Sequence, residues 1–129
     1  MRVEIEGVFQ GFNYKVIMHP FGFRCGYVRV PKGHPWYEKS FFDIDVAVHG
    51  GLTFSDFNDI LGEGFWIGFD CAHANDGLCA DEMISELMQV AKFLPRFGKV
   101  RSKLYVESQC KKLASFCLDA MRNEHHGKS

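Results

Sequence analysis

The chain has 129 residues, of which 47% are hydrophobic, so its length suits one ordinary domain with a buried core. Its 15 basic and 16 acidic side chains give a formal net charge of −1, which argues against a dedicated binder of polymeric nucleic acid. No apolar run approaches the roughly 20 residues that a membrane helix needs. We therefore expect a single domain, residues 1–129, with neither a nucleic-acid polymer nor a membrane as partner.

The cysteines and the start of the chain predict a cytoplasmic protein. The five cysteines are an odd number without a CxxC pair, which is typical of free thiols in a reducing compartment. The first six residues are charged and do not resemble a secretion signal. Cys110 and Cys117 are seven residues apart, so they share one face of a predicted helix and are expected to pack as small hydrophobic residues.

Glycine and proline divide the first half of the chain at short intervals, a pattern typical of strands and turns. Residues 14–19 and 23–30 are predicted strands, and the turn sequence Pro-Phe-Gly at 20–22 joins them into an antiparallel hairpin. Residues 36–42 are predicted to be irregular or to form a single helical turn.

Further strands are predicted over residues 45–49, 52–54 and 65–70, and the last of these is the most strongly apolar. The spacing of apolar residues then changes from two to about 3.6, which predicts helices over residues 83–94 and 102–121. Strands followed by helices indicate an α+β domain, in which a mostly antiparallel sheet is packed by C-terminal helices.

Carboxylate and imidazole side chains lie at the ends of two predicted strands, in residues 43–51 and 68–73. Because side chains alternate along a strand, the acidic groups and the imidazole of the first segment would lie on one face. If the two strands are neighbours, these groups converge on one site. Its predicted catalytic members are His49, His73, Asp45 and Asp70.

Within this site, one imidazole is predicted to act as general base and the other as general acid, while the aspartates orient them. The same groups suit a divalent metal, but HxH, HExxH and CxxC spacings are absent, so the sequence does not require such a cofactor. The alternative is structural: Asp43 and Asp45 cap turns, and the histidines are hydrogen-bonded framework. Cys71 is expected to be a buried thiol, because its side chain and that of Asp70 point to opposite faces.

Cations and aromatic rings on and after the second predicted strand form a candidate ligand-binding set. An arginine there would hold a phosphate, and a tryptophan or tyrosine would stack on a base. The alternative is a solvated edge strand protected by charge. The predicted ligand-binding residues are Arg24, Arg29, His34, Trp36, Tyr37 and Asp43.

Several segments resemble a family of small, mostly uncharacterised bacteriophage and prophage proteins. The most recognisable are HGGLTF at residues 49–54 and GFDCAH at residues 68–73, with an aspartate three residues later, here Asp76. The likeness spans roughly residues 14–76, and the chain departs from the family pattern between residues 78 and 100. The resemblance implies a phage setting and adds Asp76 to the ligand-binding candidates.

Small phage proteins with one ligand pocket are often counter-defence factors, and some sequester or cleave nucleotide immune signals; this is an argument by analogy. Our leading hypothesis is therefore His- and Asp-dependent cleavage of a phosphodiester bond in a cyclic nucleotide, in the cytoplasm of the host cell. The second hypothesis is a sponge that binds a cyclic nucleotide or an ADP-ribose derivative without cleaving it. The third is a structural or host-protein-binding phage protein. The 13 phenylalanines also predict a homo-oligomer, most simply a dimer.

Overall fold

The computed structural model describes residues 2–71 and 101–127, which form a five-stranded antiparallel sheet covered on one face by a C-terminal helix. This arrangement confirms the predicted α+β class. The strand order is β1-β2-β3-β5-β4, so β1 and β4 are the edges. The elements are β1 Arg2–Phe9, β2 Phe12–Met18, β3 Arg24–Val30, a 3-10 helix Phe41–Asp43, β4 Phe54–Asn58, β5 Gly62–Asp70 and α1 Lys103–Gly127.

The central strands and the helix confirm the predictions made from sequence periodicity. β2 and β3 pair as the expected hairpin, and in the turn the N–H of His19 donates to the carbonyl oxygen of Phe23. β5 contains a run of five buried residues, 65–69, as its apolar sequence predicts. The predicted helix over residues 83–94, together with Cys79, lies outside the described residues.

The strand predicted over residues 45–49 is wrong, because this segment is irregular. Both sides of β5 are already occupied, by β3 and by β4, so no position beside β5 remains for it. The segment instead follows the 3-10 helix and is anchored by the buried side chains of Ile44 and Val48. The short strand predicted over residues 52–54 begins at Phe54 and continues to Asn58.

The main core lies between α1 and one face of the sheet. The helix contributes buried residues at positions 106, 110, 113, 114 and 117, the spacing of one helical face. Cys110 and Cys117 belong to this face and are fully buried, as expected. β3 approaches the helix closely at Gly26, where an added Cβ would overlap the Phe69 ring and lie 2.7 Å from Cys110 Sγ.

The opposite face of the sheet carries a second, smaller apolar cluster. Ile17, Leu61 and Trp66 are buried there, and Tyr27 and Phe54 pack against them. Within the described part of the chain, no helix is both long and apolar enough to cross a membrane.

Candidate functional site

His49 lies in the loop before β4 and is fastened to α1 at two points. Its backbone N–H donates to Gln109 Oε1 at 3.0 Å, and its Nδ1 is hydrogen-bonded to the Tyr105 hydroxyl at 2.8 Å. The imidazole and phenol rings are perpendicular, with centroids 5.5 Å apart. Gly50 and Gly51 have φ angles of 67° and 76°, a region that favours glycine, and they turn the chain back after His49. The loop therefore holds a half-buried imidazole in a defined orientation.

Arg101, just before α1, holds a cation beside the ring of Tyr105. The Arg101 guanidinium lies 5.2 Å from the centroid of the Tyr105 ring, within the range of a cation–π interaction. The Arg101 carbonyl oxygen accepts a hydrogen bond from Arg24 Nη1 at 2.8 Å, which fixes the start of the helix against β3. The Arg101 guanidinium is therefore held beside Tyr105, the residue that is hydrogen-bonded to His49.

Arg24 is engaged in structural contacts, in contrast to its predicted role of holding a phosphate. Its Nε donates to Glu4 Oε1 at 2.6 Å and its Nη2 to Glu4 Oε2 at 3.3 Å, and the two side chains are only 14% and 11% exposed. This bidentate carboxylate already neutralises the guanidinium charge. The Arg24 carbonyl oxygen also accepts from the Cys71 N–H, so the residue joins the start of β3 to the end of β5.

Asp70 is held at the end of β5 by the same loop that carries His49. Thr53 Oγ1 donates to Asp70 Oδ2 at 3.0 Å, and the Thr53 N–H donates to the Gly68 carbonyl oxygen at 2.9 Å. Across the sheet, Asp70 pairs with Cys25. Burial raises the pKa of the Cys25 thiol to about 11, and the negative charge of Asp70 adds to that rise. The adjacent Cys71 is buried, as predicted.

These contacts form a continuous path around one end of the sheet. The path runs from the loop to α1, from α1 to β3, from β3 to the end of β5, and back to the loop. Its members, which we call the end cluster, are His49, Thr53, Asp70, Cys71, Arg24, Arg101 and Tyr105. Two of the predicted catalytic residues, His49 and Asp70, therefore lie on one path of contacts. His73 and Asp76 lie outside the described residues, and their participation stays a prediction.

Asp43 and Asp45 are both exposed. Because residues 45–49 do not form a strand, these aspartates do not share a strand face with His49. Asp43 lies in the 3-10 helix, whose first turn is capped by Ser40. Asp45 was predicted to orient an imidazole, but at Nδ1 of His49 the hydrogen bond is made by Tyr105. The sheet-face argument that grouped these residues therefore does not hold.

His34 has the contacts of a framework residue. It is 4% exposed, its Nε2 donates to the Cys117 carbonyl oxygen at 2.7 Å, and its Nδ1 accepts from the Trp36 N–H at 3.0 Å. These two bonds require the neutral tautomer that carries its proton on Nε2. Cys117 is eight residues beyond Gln109, or roughly 12 Å along the helix axis, so His34 and His49 contact different parts of α1.

The aromatic residues proposed to stack on a base are packed within the protein. Trp36 is half-buried, and its ring lies against the His34 imidazole with centroids 5.4 Å apart. Tyr37 packs against Phe57 and Phe65, with ring centroids 6.0 and 5.7 Å away. Both rings are therefore half-buried against the main core.

Arg29 lies apart from the end cluster. It pairs with Trp66 in register, on the sheet face opposite α1, and lines a groove there together with Lys15. Among the residues that the structure describes, no group of three or more His, Cys, Asp or Glu side chains is arranged to hold a metal ion.

Sequence reasoning missed Arg101, Tyr105 and Gln109. Tyr105 and Gln109 are one helical turn apart on α1, beside its apolar face, and Arg101 lies four residues before Tyr105, just ahead of the helix. The polar row of arginine, tyrosine and glutamine is visible in the sequence, but no local pattern connects it with His49, which is 56 positions from Tyr105.

The chain was compared with models of known protein families, with curated proteins and with solved structures, and none of the three comparisons found a match.

Proposed function

We propose that this protein is a phage counter-defence factor that cleaves a phosphodiester bond in a nucleotide immune signal, in the host cytoplasm. The observation that supports this proposal is the half-buried His49, held by Tyr105 at Nδ1 with the Arg101 guanidinium over the Tyr105 ring. An oriented imidazole as general base and a cation that stabilises the phosphoryl oxygens are the groups that phosphodiester cleavage uses, and here Tyr105 contacts both. The resemblance to phage proteins supplies the setting.

The reaction assigns a role to each of these groups. Because Tyr105 is bonded to Nδ1, proton transfer takes place at Nε2 of His49. Nε2 accepts a proton from water while the water oxygen forms a bond to phosphorus. The bond from phosphorus to the sugar oxygen then breaks, and a general acid, for which His73 is the prediction, protonates the leaving oxygen. Arg101 supplies positive charge to the phosphoryl oxygens.

Incubation with a panel of cyclic nucleotides tests this proposal. The protein is mixed with each nucleotide and then heat-denatured, and the released material is separated by chromatography. Cleavage predicts new products that are lost in His49→Ala and reduced in Tyr105→Phe. The matched control is His19→Ala, which removes a histidine from the β2–β3 turn and should leave the products unchanged.

The same experiment separates the remaining hypotheses. Intact nucleotide that co-purifies with the protein and is released on heating would contradict cleavage and support the hypothesis of a sponge. A protein that neither retains nor converts any nucleotide would contradict both hypotheses and favour a role in binding other proteins.

A second observation supports self-association. Phe42, Phe57 and Ile60 are 85%, 50% and 62% exposed. The Phe41 N–H donates to Ser55 Oγ, so the 3-10 helix that carries Phe42 lies beside the edge strand β4. Apolar side chains along an unpaired strand edge are typical of an interface.

We propose that a second copy of the chain covers this edge, and light scattering at micromolar concentration tests it. A dimer mass is expected for the parent protein and a monomer mass for Phe42→Ser. The control is Phe21→Ser, which changes a phenylalanine that is 63% exposed in the β2–β3 turn. A monomeric parent protein would contradict the proposal.

A further inference from the structure

A groove of about 420 Å³ crosses the sheet face opposite α1. One side is formed by β1 and β2, and the other by the tip of the β4–β5 hairpin. The groove is lined by residues that include Asn13, Lys15, Arg29, Gly62, Glu63 and Trp66. None of these residues belongs to the end cluster, so the groove is a separate feature of the molecule.

Two cations are close neighbours in this groove. Lys15 pairs with Tyr27, and Arg29 is two residues further along β3, so the two cations are diagonal neighbours on one face. Diagonal neighbours are about 7–8 Å apart, a separation across which two long cationic side chains can both reach one small anion. Like charges at this range repel each other, and a bound anion would relieve the repulsion.

Two carboxylates, those of Glu6 and Glu63, also line the groove, and neither forms an ion pair with Arg29. Lys15 forms an ion pair of 3.7 Å with Glu6, whose side chain is 68% exposed on β1, and such exposed pairs are weak. In the described part of the chain, Arg29 has no ion pair within 4.0 Å. A half-buried guanidinium in this position favours an oxyanion ligand.

The tip of the β4–β5 hairpin lies beside both cations. Gly64 has a φ of 110°, and an added Cβ there would overlap Arg29 Nε, so glycine makes the space for the guanidinium. Trp66 Nε1 donates to the Gly62 carbonyl oxygen at 3.2 Å, which fixes the indole ring against the start of β5. Lys15 Nζ lies 5.6 Å from the Trp66 ring centroid, which restricts the position of the ammonium.

We propose that this groove binds an oxyanion, the phosphate or carboxylate group of a small molecule, between the Arg29 guanidinium and the Lys15 ammonium. Asn13 offers an amide donor at the wall of the groove. Both cations would donate charge-assisted hydrogen bonds to the same group. The site lies on the other face of the sheet from α1 and does not depend on the function proposed for the end cluster.

Nuclear magnetic resonance of ¹⁵N-labelled protein tests this site directly. Inorganic phosphate and acetate are titrated separately, and sodium chloride at matched ionic strength serves as the reference. Saturable shifts are expected at the Gly62 and Gly64 amides and at Arg29 Nε. Saturation by phosphate alone identifies a phosphate site, whereas saturation by both probes identifies a general oxyanion site. The Gly50 and Gly51 amides report separately on any phosphate bound at the end cluster.

Two variants decide whether the cations form the site. Arg29→Gln should weaken binding by roughly tenfold or more, because it removes a charged donor, and the exposed control Arg122→Gln should not change it. Lys15→Gln should weaken binding in the same direction and provides the test if Arg29→Gln does not fold. Shifts that remain linear, match those with chloride, or persist unchanged in the folded variants would overturn the proposal.

Discussion

The two described histidines that contact α1 should respond in opposite ways to replacement by alanine. His34 is buried, with both ring nitrogens hydrogen-bonded inside the protein, whereas His49 is half-buried in a loop. We therefore expect His34→Ala to lower the free energy of unfolding substantially and His49→Ala to lower it little. Nucleotide handling should be lost in His49→Ala and retained in folded His34→Ala.

The contacts of His34 set the expected magnitude. Each of its two hydrogen bonds is worth about 0.5–1.5 kcal/mol. Its ring also packs edge-on against Phe12 and Trp36, and such pairs are worth about 0.5–1.5 kcal/mol each. Because these contributions are not fully additive, we expect a loss of about 2–4 kcal/mol, against total stabilities of about 5–15 kcal/mol for domains of this kind. For His49, one side-chain hydrogen bond at a half-buried position predicts about 1 kcal/mol.

Guanidinium chloride unfolding followed by circular dichroism measures both losses. His34→Gln is the matched control, because its amide can still donate to the Cys117 carbonyl oxygen, and it should lose less stability than His34→Ala. If His34→Ala costs less than about 1 kcal/mol, or if His49→Ala costs as much as His34→Ala, the division into framework and site histidines is wrong.

Four further predictions can be tested on the purified protein, and the first three concern the packing of the sheet against α1. Gly26→Ala should lower the free energy of unfolding by about 1–3 kcal/mol, because the new methyl group meets Phe69 and Cys110; a melting temperature equal to that of the parent would contradict this. The hydrogen bond from Tyr14 to Glu107 raises the pKa of Tyr14 to about 12 from an ordinary value of 10.0. The contribution of this hydrogen bond to stability is complete below pH 10 and is lost as the pH rises through 12. Between these pH values, the free energy of unfolding of Tyr14→Phe should therefore fall less steeply than that of the parent, which denaturant unfolding measures. Burial raises the pKa of the Cys110 thiol to about 12, so a thiol reagent at pH 8 should modify this residue only as fast as the protein opens, which peptide mapping measures. The denatured, unreduced chain should titrate five thiols, and three or fewer would refute the prediction of a reducing compartment.

Part of this fold could be predicted from local sequence patterns. The β2–β3 hairpin, β5 and α1 were predicted because each has an apolar period, of two or about 3.6 residues, that is complete within one segment. β1 was not predicted. It is an edge strand with Val3 and Val8 exposed, and its pairing with β2 is interrupted by a bulge between Val3 and Ile5, so its own sequence gives only a weak strand signal.

The candidate site was only partly predictable, because its contacts join residues that are far apart in the sequence. The acidic and imidazole residues could be identified by their chemistry, and His49 and Asp70 do lie on one path of contacts. Their partners could not be identified: Tyr105 is 56 positions from His49, and Arg24 is 20 positions from Glu4. No local period contains information about contacts at such distances along the chain.

The sequence by itself determined which segments are apolar, how their side chains alternate and where chemically active groups occur. Only the tertiary structure decided which strands pair and therefore which residues meet. Residues 45–49 alternate like a strand, but β5 already has β3 and β4 as neighbours, so the segment became the loop that holds His49 against α1. Strand pairing requires a free edge of backbone hydrogen-bonding groups, and the availability of that edge depends on the rest of the chain.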